Sequence, residues 1–169
     1  TGKQAGLDAV SALMDQMTFI YDQSLRLTSQ GVNIADIRHH IKMPASILES
    51  QYSNEFYGQF DTFPQANPIY NHGWFSGYAE DIHSLPRAVQ AGYMVKLAGG
   101  ADKILAAYEE AMENGEYLWA KELATQLYYV EPGNDAYRQT LANVFRRLGQ
   151  MSPGIIARNF YLNAANSLE

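Results

Sequence analysis

Cysteine is absent from this sequence of 169 residues. Its absence excludes disulfide bonds, thiolate zinc sites and cysteine nucleophiles. Basic residues are also few: 12 Lys and Arg residues stand against 18 Asp and Glu residues, for a net charge of −6. A protein that binds nucleic acid needs a basic patch, but the only adjacent basic pair here is Arg146 and Arg147. The composition therefore predicts no nucleic-acid partner.

Long apolar runs are missing as well. No stretch approaches the roughly 18 consecutive apolar residues of a membrane-spanning helix, and no signal peptide is visible. The sequence starts with Thr1 and enters a helical pattern almost at once, so we expect a piece of a larger polypeptide. Because hydrophobic residues make up 47% of the chain and charged residues 18%, we predict a folded domain with a real core.

Apolar residues recur at helical spacing along most of the chain, and no segment alternates in the manner of a strand. We therefore predict an all-α fold, organised as one helical domain over residues 1–169. Its N-terminal helices occupy residues 1–55 and its C-terminal helices residues 87–169. Individual helices are predicted at 7–29, 33–40, 44–52, 86–97, 102–114, 116–130, 134–148 and 153–168.

Local signals mark several of these helix ends. Gly31 and Gly99 follow apolar periodic segments and are predicted C-terminal stops. Asn33 and Asp102 precede such segments and are predicted N-caps. The helix boundaries therefore rest on side-chain chemistry as well as on periodicity.

Residues 56–86 combine turn-forming Gly and Pro residues with many aromatic side chains. Ordinary linkers are polar and contain few aromatics. The segment is therefore predicted to be an ordered, packed loop region that connects the two sets of helices.

The first predicted helix has an unusually wide apolar surface. One stripe contains Val10, Leu13, Met17, Ile20 and Leu27 with Ser24 as its polar gap, and a second stripe contains Met14, Tyr21 and Leu25. A surface this wide indicates contacts on two sides of the helix, within one subunit or across subunits. On the same helix, acidic residues recur every seven positions and are predicted to mark its solvated side: Asp8, Asp15 and Asp22.

The histidines offer little for metal binding. His39 and His40 are adjacent on a short predicted helix, where neighbouring residues face different directions. His72, Asp81 and His83 lie close together in sequence, which leaves a small independent metal enzyme as an alternative function. Hydrogen bonding to loop backbone is the favoured interpretation of these side chains. We predict no metal ligand and no catalytic residue in this chain.

The C-terminal half resembles a tetratricopeptide repeat. Gly115, Tyr117, Ala120 and Pro132 have the spacing of the second helix of such a repeat and of its exit turn. This resemblance implies tetratricopeptide-like helix pairs, and it gives a second alternative function, a docking module for another protein. The inner positions of these helices suit packing better than peptide binding: Leu105, Tyr108, Leu118, Trp119 and Leu123.

A longer resemblance covers nearly the whole chain. Its pieces occur in the order found in the dimerisation domain of alkyl sulfatases, a helical module in the metallo-β-lactamase superfamily of alkyl and aryl sulfatases. These pieces are Asp22–Leu27, Gln30-Gly31, Ile34–Ile37, Met43-Pro44, Phe56–Gly58, Gly73–Phe75, Leu85-Pro86, Gly99–Asp102, Gly115–Ala120 and Arg158–Leu162. The shared order and spacing make this the leading interpretation of the sequence.

The resemblance implies a role inside a larger hydrolase. In that family a lactamase-like catalytic domain of the same polypeptide holds two zinc ions and cleaves alkyl sulfate esters, and the helical module forms a homodimer. The cofactors would therefore lie outside this chain, and many family members are exported, so a periplasmic or secreted location is expected. The stripes of the first helix supply the candidate dimer interface: Val10, Leu13, Met14, Met17, Ile20, Tyr21 and Leu25.

The family also places a tyrosine of the loop-rich segment near the sulfate site. The corresponding candidates for the wall of a substrate pocket are Tyr70, Asn71, His72 and Trp74. The aromatic cluster of Tyr70, Trp74, Phe75 and Tyr78 either lines a pocket for an alkyl chain or forms a small core. The family's Asp-Gly-Asn-Pro run is replaced here by Ser76-Gly77-Tyr78-Ala79, which leaves the substrate open.

Overall fold

The computed structural model describes residues 2–73 and 75–169, apart from the side chain of His72. Within these residues the chain is built from helices and contains no strand, so the predicted all-α fold is confirmed. The chain divides into two compact units, Thr1–His83 and Ser84–Glu169. The predicted single domain, with N-terminal helices over residues 1–55, a loop region over 56–86 and C-terminal helices over 87–169, stays a prediction.

The first unit is organised around one long helix. This helix, α1, spans Lys3–Ser29 and packs against the three other α-helices of the unit. Those helices are α2 (Ile37–His40), α3 (Ala45–Leu48) and α4 (Phe63–His72), and a 3₁₀ turn follows at Ala79–Asp81. The buried apolar residues of the unit include Ile20, Leu27, Ile37 and Ile47.

The end of α1 follows the predicted pattern, but the next two helices are shorter than predicted. Gly31 adopts a positive φ of 80°, and the N–H of Val32 bonds back to the carbonyl of Leu27 at 3.1 Å. Asn33 does not cap a helix, because its Oδ1 accepts the N–H of Ala35 in a turn and α2 begins only at Ile37. Short side-chain-to-backbone bonds of this kind compete with helix formation.

The main difference from the sequence prediction is α4, a ten-residue helix inside the region predicted as loop. Pro64 lies in its first turn, where a backbone N–H is not needed. Pro68 lies in its interior, where proline normally weakens a helix. Both prolines are fully buried, and we attribute the tolerance of Pro68 to packing of α4 against α1 and α2.

The second unit contains five helices that pack largely on their sequence neighbours. They are α5 (Arg87–Ala98), α6 (Ala101–Glu113), α7 (Tyr117–Val130), α8 (Asp135–Met151) and α9 (Ile155–Leu168). Helix α7 packs against α5, α6 and α8, and α9 packs against α8. The core lies between α6, α7 and α8, with Ile104, Tyr108, Leu127, Leu141 and Val144 among its residues.

The turns of this unit test the predicted caps. Gly99 ends α5 in the left-handed conformation with φ 89°, as predicted. Asn134, which was not among the predicted caps, caps α8, because its side chain accepts the N–H groups of Ala136 and Tyr137. Asp102 is not an N-cap: it lies in the first turn of α6, and Gly100 occupies the cap position without a side-chain bond. The tetratricopeptide-like character of these helices stays a prediction.

Candidate functional site

Helix α1 exposes a continuous apolar stripe along residues 7–21. Leu7, Val10, Met14, Met17 and Tyr21 are all exposed, and they follow one another at intervals of three and four residues. This spacing keeps them on one side of the helix. Exposed apolar residues in a row, unlike single ones, mark an interaction surface.

Another side of α1 is covered by the rest of its unit. Gln16, Ile20, Ser24 and Leu27 are buried there, and the Ser24 hydroxyl donates to the carbonyl of Ile20 at 2.6 Å. One side of the helix therefore packs in the core of the unit, while the apolar stripe lies outside it.

The structure separates the predicted interface residues into two groups. Val10, Leu13, Met14, Met17 and Tyr21 are exposed, while Leu25 is half-buried and Ile20 belongs to the core of the unit. Leu7, which was not among the predicted interface residues, extends the exposed stripe by one turn. Its position three residues before Val10 and seven before Met14 is the signal that identifies it.

A groove between α1 and α4 continues the exposed stripe. Its volume is about 410 Å³, and Met17 and Tyr21 of the stripe form part of its wall. The opposite wall comes from Phe63 and Ala66 of α4. The stripe and this groove form one apolar surface on the first unit.

The predicted pocket-wall residues lie at the end of α4. Tyr70 is 90% exposed. Asn71 is exposed too, and its Nδ2 donates to the carbonyl of Asn67 at 2.9 Å. The backbone of His72 ends α4, but its side chain lies outside the described part of the chain, as does Trp74. The phenol of Tyr70 is therefore free to contact another surface.

Of the aromatic cluster predicted from the sequence, the described members Tyr70, Phe75 and Tyr78 do not all line one pocket. Phe75 and Tyr78 line a pocket of about 390 Å³ with Val32 and Ile34 from the segment after α1. The Tyr78 hydroxyl donates to the carbonyl of Gly31 at 2.6 Å and so holds this loop near the end of α1. Tyr70 does not line that pocket.

Metal-ligating side chains do not converge in the described residues, where no group of three or more His, Cys, Asp or Glu could hold an ion. His39 and His40 are exposed, and the Nε of Arg38 donates to the Nε2 of His39 at 3.2 Å. Asp81 accepts a hydrogen bond from the hydroxyl of Ser76. None of the described helices is long and apolar enough to cross a membrane.

In the second unit, the positions considered for peptide docking play different roles. Tyr108 and Leu123 belong to the core, whereas Leu118 and Trp119 are exposed. The Tyr108 hydroxyl donates to the carbonyl of Thr140 at 3.1 Å. Burial, and to a smaller extent the negative charge of Glu109, raises the pKa of Tyr108. Tyr108 and Leu123 therefore help to hold α6, α7 and α8 together, whereas Leu118 and Trp119 do not belong to this core.

The chain is similar to one part of known alkylsulfatases. The chain is 29% identical over 99% of its length both to a linear primary-alkylsulfatase of Pseudomonas sp. and to an alkyl/aryl-sulfatase of Saccharomyces cerevisiae. The solved structure of the stereoselective inverting sec-alkylsulfatase Pisa1 from Pseudomonas sp. matches 94% of the chain with a TM-score of 0.86 and 25% identity. The chain spans about a quarter of the length of these relatives.

A family match agrees with these relatives. Residues 33–169 match the protein family described as alkyl sulfatase dimerisation, which covers most of the chain. The resemblance predicted from the ordered sequence pieces is thereby confirmed. This chain belongs to the alkyl sulfatase dimerisation family.

Proposed function

We propose that this chain pairs two subunits of an alkyl-sulfatase-like hydrolase and supports its active site, without being catalytic in isolation. The uncovered apolar stripe of α1 carries the proposal. Leu7, Val10, Met14, Met17 and Tyr21 are exposed in the single chain. Removing apolar area from water is favourable by about 25 cal/mol per Å² before the entropy cost of association is counted, so covering this stripe favours pairing.

Pairing through one long helix suits this stripe. Spacings of three and four residues are those of a helix-to-helix seam, in which side chains of one helix insert between those of the other. A two-fold axis brings the same surface of both subunits together. The groove beside Met17 and Tyr21 would receive side chains of the partner, which continues the seam towards α4.

The hydrolytic chemistry is assigned to the parent polypeptide. The relatives are named as alkylsulfatases, and the chain spans about a quarter of their length. By family resemblance, the two zinc ions and the residues that cleave the sulfate ester would lie on a lactamase-like domain of the same polypeptide. This chain would then contribute pairing and positioning.

The end of α4 is the part of the chain proposed to face that active site. Tyr70 presents an exposed phenol, which can donate a hydrogen bond to a sulfate oxygen or cover an alkyl chain with its ring. Asn71, His72 and Trp74 are the neighbouring candidates for the same wall. Tyr57 is also exposed, in the segment before α4, and serves as a matched control.

Two measurements test the proposal. The first is the molar mass of the purified chain by light scattering after gel filtration, over about a hundredfold range of concentration. A dimer that persists on dilution is expected, and a monomer throughout would refute the pairing role.

The second measurement compares Tyr70→Phe with Tyr57→Phe in the complete hydrolase. Only Tyr70→Phe should lower kcat/KM for an alkyl sulfate, and equal values for both variants would remove Tyr70 from the wall.

A further inference from the structure

A small pocket lies at the C-terminal end of α1, beside the loop that follows α4. Its volume is about 390 Å³, which is within the range of pockets that hold small molecules. Val32, Ile34 and Phe75 provide much of its lining, and no charged side chain takes part in it. A charged group loses hydration in an apolar pocket unless an opposite charge meets it. The lining therefore favours a neutral and largely apolar ligand.

Three of the lining side chains have a hydroxyl group, and each hydroxyl already donates its proton within the chain. Thr28 donates to a backbone carbonyl of α1 at 2.8 Å. Ser76 donates to the carboxylate of Asp81, and Tyr78 donates to the carbonyl of Gly31 at 2.6 Å. A hydroxyl has one proton and two lone pairs. These side chains can therefore offer a ligand hydrogen-bond acceptors only.

The same hydrogen bonds hold the pocket in shape. The bond from Tyr78 to Gly31 joins residues 47 positions apart and holds the loop against the end of α1. Within the loop, the N–H of Tyr78 donates to the Oγ of Ser76 at 3.2 Å. Gly77 lies between them with a φ of 88°, which glycine adopts without strain. Residues of a single chain thus form the pocket.

We infer that this pocket binds a neutral alkyl alcohol. The alkyl chain would contact Val32, Ile34 and Phe75, and the O–H of the alcohol would donate to one of the three acceptor hydroxyls. A sulfate ester fits less well, because its head group is charged and has no proton to donate. An alkylammonium ion can donate, but it would lose hydration without an opposite charge on the lining.

This binding is separate from the pairing and wall roles proposed above. Tyr70 of the proposed wall does not line the pocket, and neither does the exposed stripe of α1. Hydrolysis of an alkyl sulfate leaves an alcohol of the same class, so in the parent hydrolase the pocket would hold product. Only that last link rests on the proposed function, because binding of the alcohol is measured on the chain without catalysis.

The test is a titration of the whole purified chain, followed by amide NMR spectroscopy, with four probes that have the same alkyl chain. The probes are n-octanol, octyl methyl ether, octylammonium and octyl sulfate. The alcohol should bind about fivefold more tightly than the ether, because only the alcohol donates a hydrogen bond. Both charged probes should bind more weakly than the alcohol. No binding of n-octanol, or equal or tighter binding of any other probe at this pocket, would overturn the inference.

The amide signals identify the place of binding. Signals of Gly31 and Gly77, which line the pocket, should shift with n-octanol, and their titration gives the affinity at this site. The signal of Gly133, in the second unit, should not shift. Shifts at Met17 and Tyr21 alone would place the alcohol in the apolar groove beside α4 and refute the pocket.

A pair of phenylalanine variants tests the apolar wall. Phe75→Ala should weaken n-octanol about tenfold, because it removes apolar area that covers the alkyl chain. The control is Phe56→Ala, which changes a phenylalanine that is 74% exposed and does not line the pocket. The control should retain the affinity. Equal losses in both variants would contradict the assigned wall.

Three hydroxyl variants separate recognition of the alcohol from a structural role. Thr28→Val, Ser76→Ala and Tyr78→Phe each remove one acceptor. In at least one of them the preference for n-octanol over octyl methyl ether should disappear while the ether keeps its affinity. Damage to the shape of the pocket would instead weaken both probes alike. An undiminished preference in all three variants, or equal weakening of both probes in each, would refute the role of the hydroxyls.

Discussion

Leu13 and Ile20 lie seven residues apart on the same side of α1, yet Leu13 is 49% exposed and Ile20 is 2% exposed. Seven residues correspond to nearly two full turns, so both side chains point in almost the same direction. The difference arises because other parts of the unit pack over Ile20 and leave Leu13 largely uncovered.

The first prediction contrasts these two residues. Ile20→Ala should lower the free energy of unfolding by about 2–5 kcal/mol, because it leaves a cavity in a packed core. Leu13→Ala should lower it by less than about 1 kcal/mol at concentrations where the chain is monomeric, since surface changes have small effects. Urea denaturation measures both values. Equal losses would mean that Leu13 is covered within its own unit.

Charge in the exposed stripe should prevent pairing. Met14→Glu combined with Met17→Glu places two carboxylates in the proposed seam, where they would lose their hydration. We expect the dimer dissociation constant to rise at least about tenfold, as measured by analytical ultracentrifugation. The control is Leu97→Glu on α5, where the leucine is 81% exposed. A weakening in the control alone would move the interface to the second unit.

The contact between α8 and α9 depends on a glycine. A Cβ at Gly149 would lie 2.8 Å from Cδ2 and 2.9 Å from Cγ of Leu162, so Gly149→Ala should force the helices apart and cost about 1–3 kcal/mol. At Gly92, inside α5, a Cβ would meet nothing within 4 Å. Gly92→Ala should therefore stabilise by about 0.5–1 kcal/mol. Thermal unfolding should give opposite signs for the two variants.

Tyr108 should make stability depend on alkaline pH. Burial, assisted by Glu109, raises its pKa above the ordinary value of 10.0. The folded chain then holds the proton more tightly than the unfolded chain, so this contribution to stability is complete below pH 10.0 and decreases above it.

The matching variant is Tyr108→Phe. It removes the hydrogen bond to Thr140 and should cost about 0.5–1.5 kcal/mol near neutral pH. The difference between the two chains should shrink when urea denaturation is repeated above about pH 10. A difference that grows with pH would contradict the direction of the shift.

Much of the second unit could be predicted from local signals. Gly99 ends α5 and Asn134 caps α8 because each supplies what the backbone needs at that point, a left-handed conformation in one case and an acceptor for free N–H groups in the other. Asp102 was predicted wrongly because an acidic residue also suits the first turn of a helix, where it interacts with the helix dipole. The N-cap of α6 is Gly100, only two positions before Asp102, so the sequence alone does not separate the two roles.

Helix α4 could not be predicted in the same way. Pro64 and Pro68 indicate turns when only neighbouring residues are considered. In the folded unit both prolines are fully buried. Helix α4 packs against α1 and α2, and we attribute to this packing the tolerance of Pro68, which would weaken a solvated helix. Tertiary packing overrides the local preference here.

The amino-acid sequence by itself determined the all-helical fold, the family of the chain, the apolar stripe of α1 and the seven-residue repeat of Asp8, Asp15 and Asp22. These features depend on residue type and spacing, and the sequence alone gives both. Only the tertiary structure decided that Ile20 is covered while Leu13 is not, and that the hydroxyl of Ser53 is buried without a partner. Burial depends on which distant segments pack against a residue, and no local periodicity specifies that.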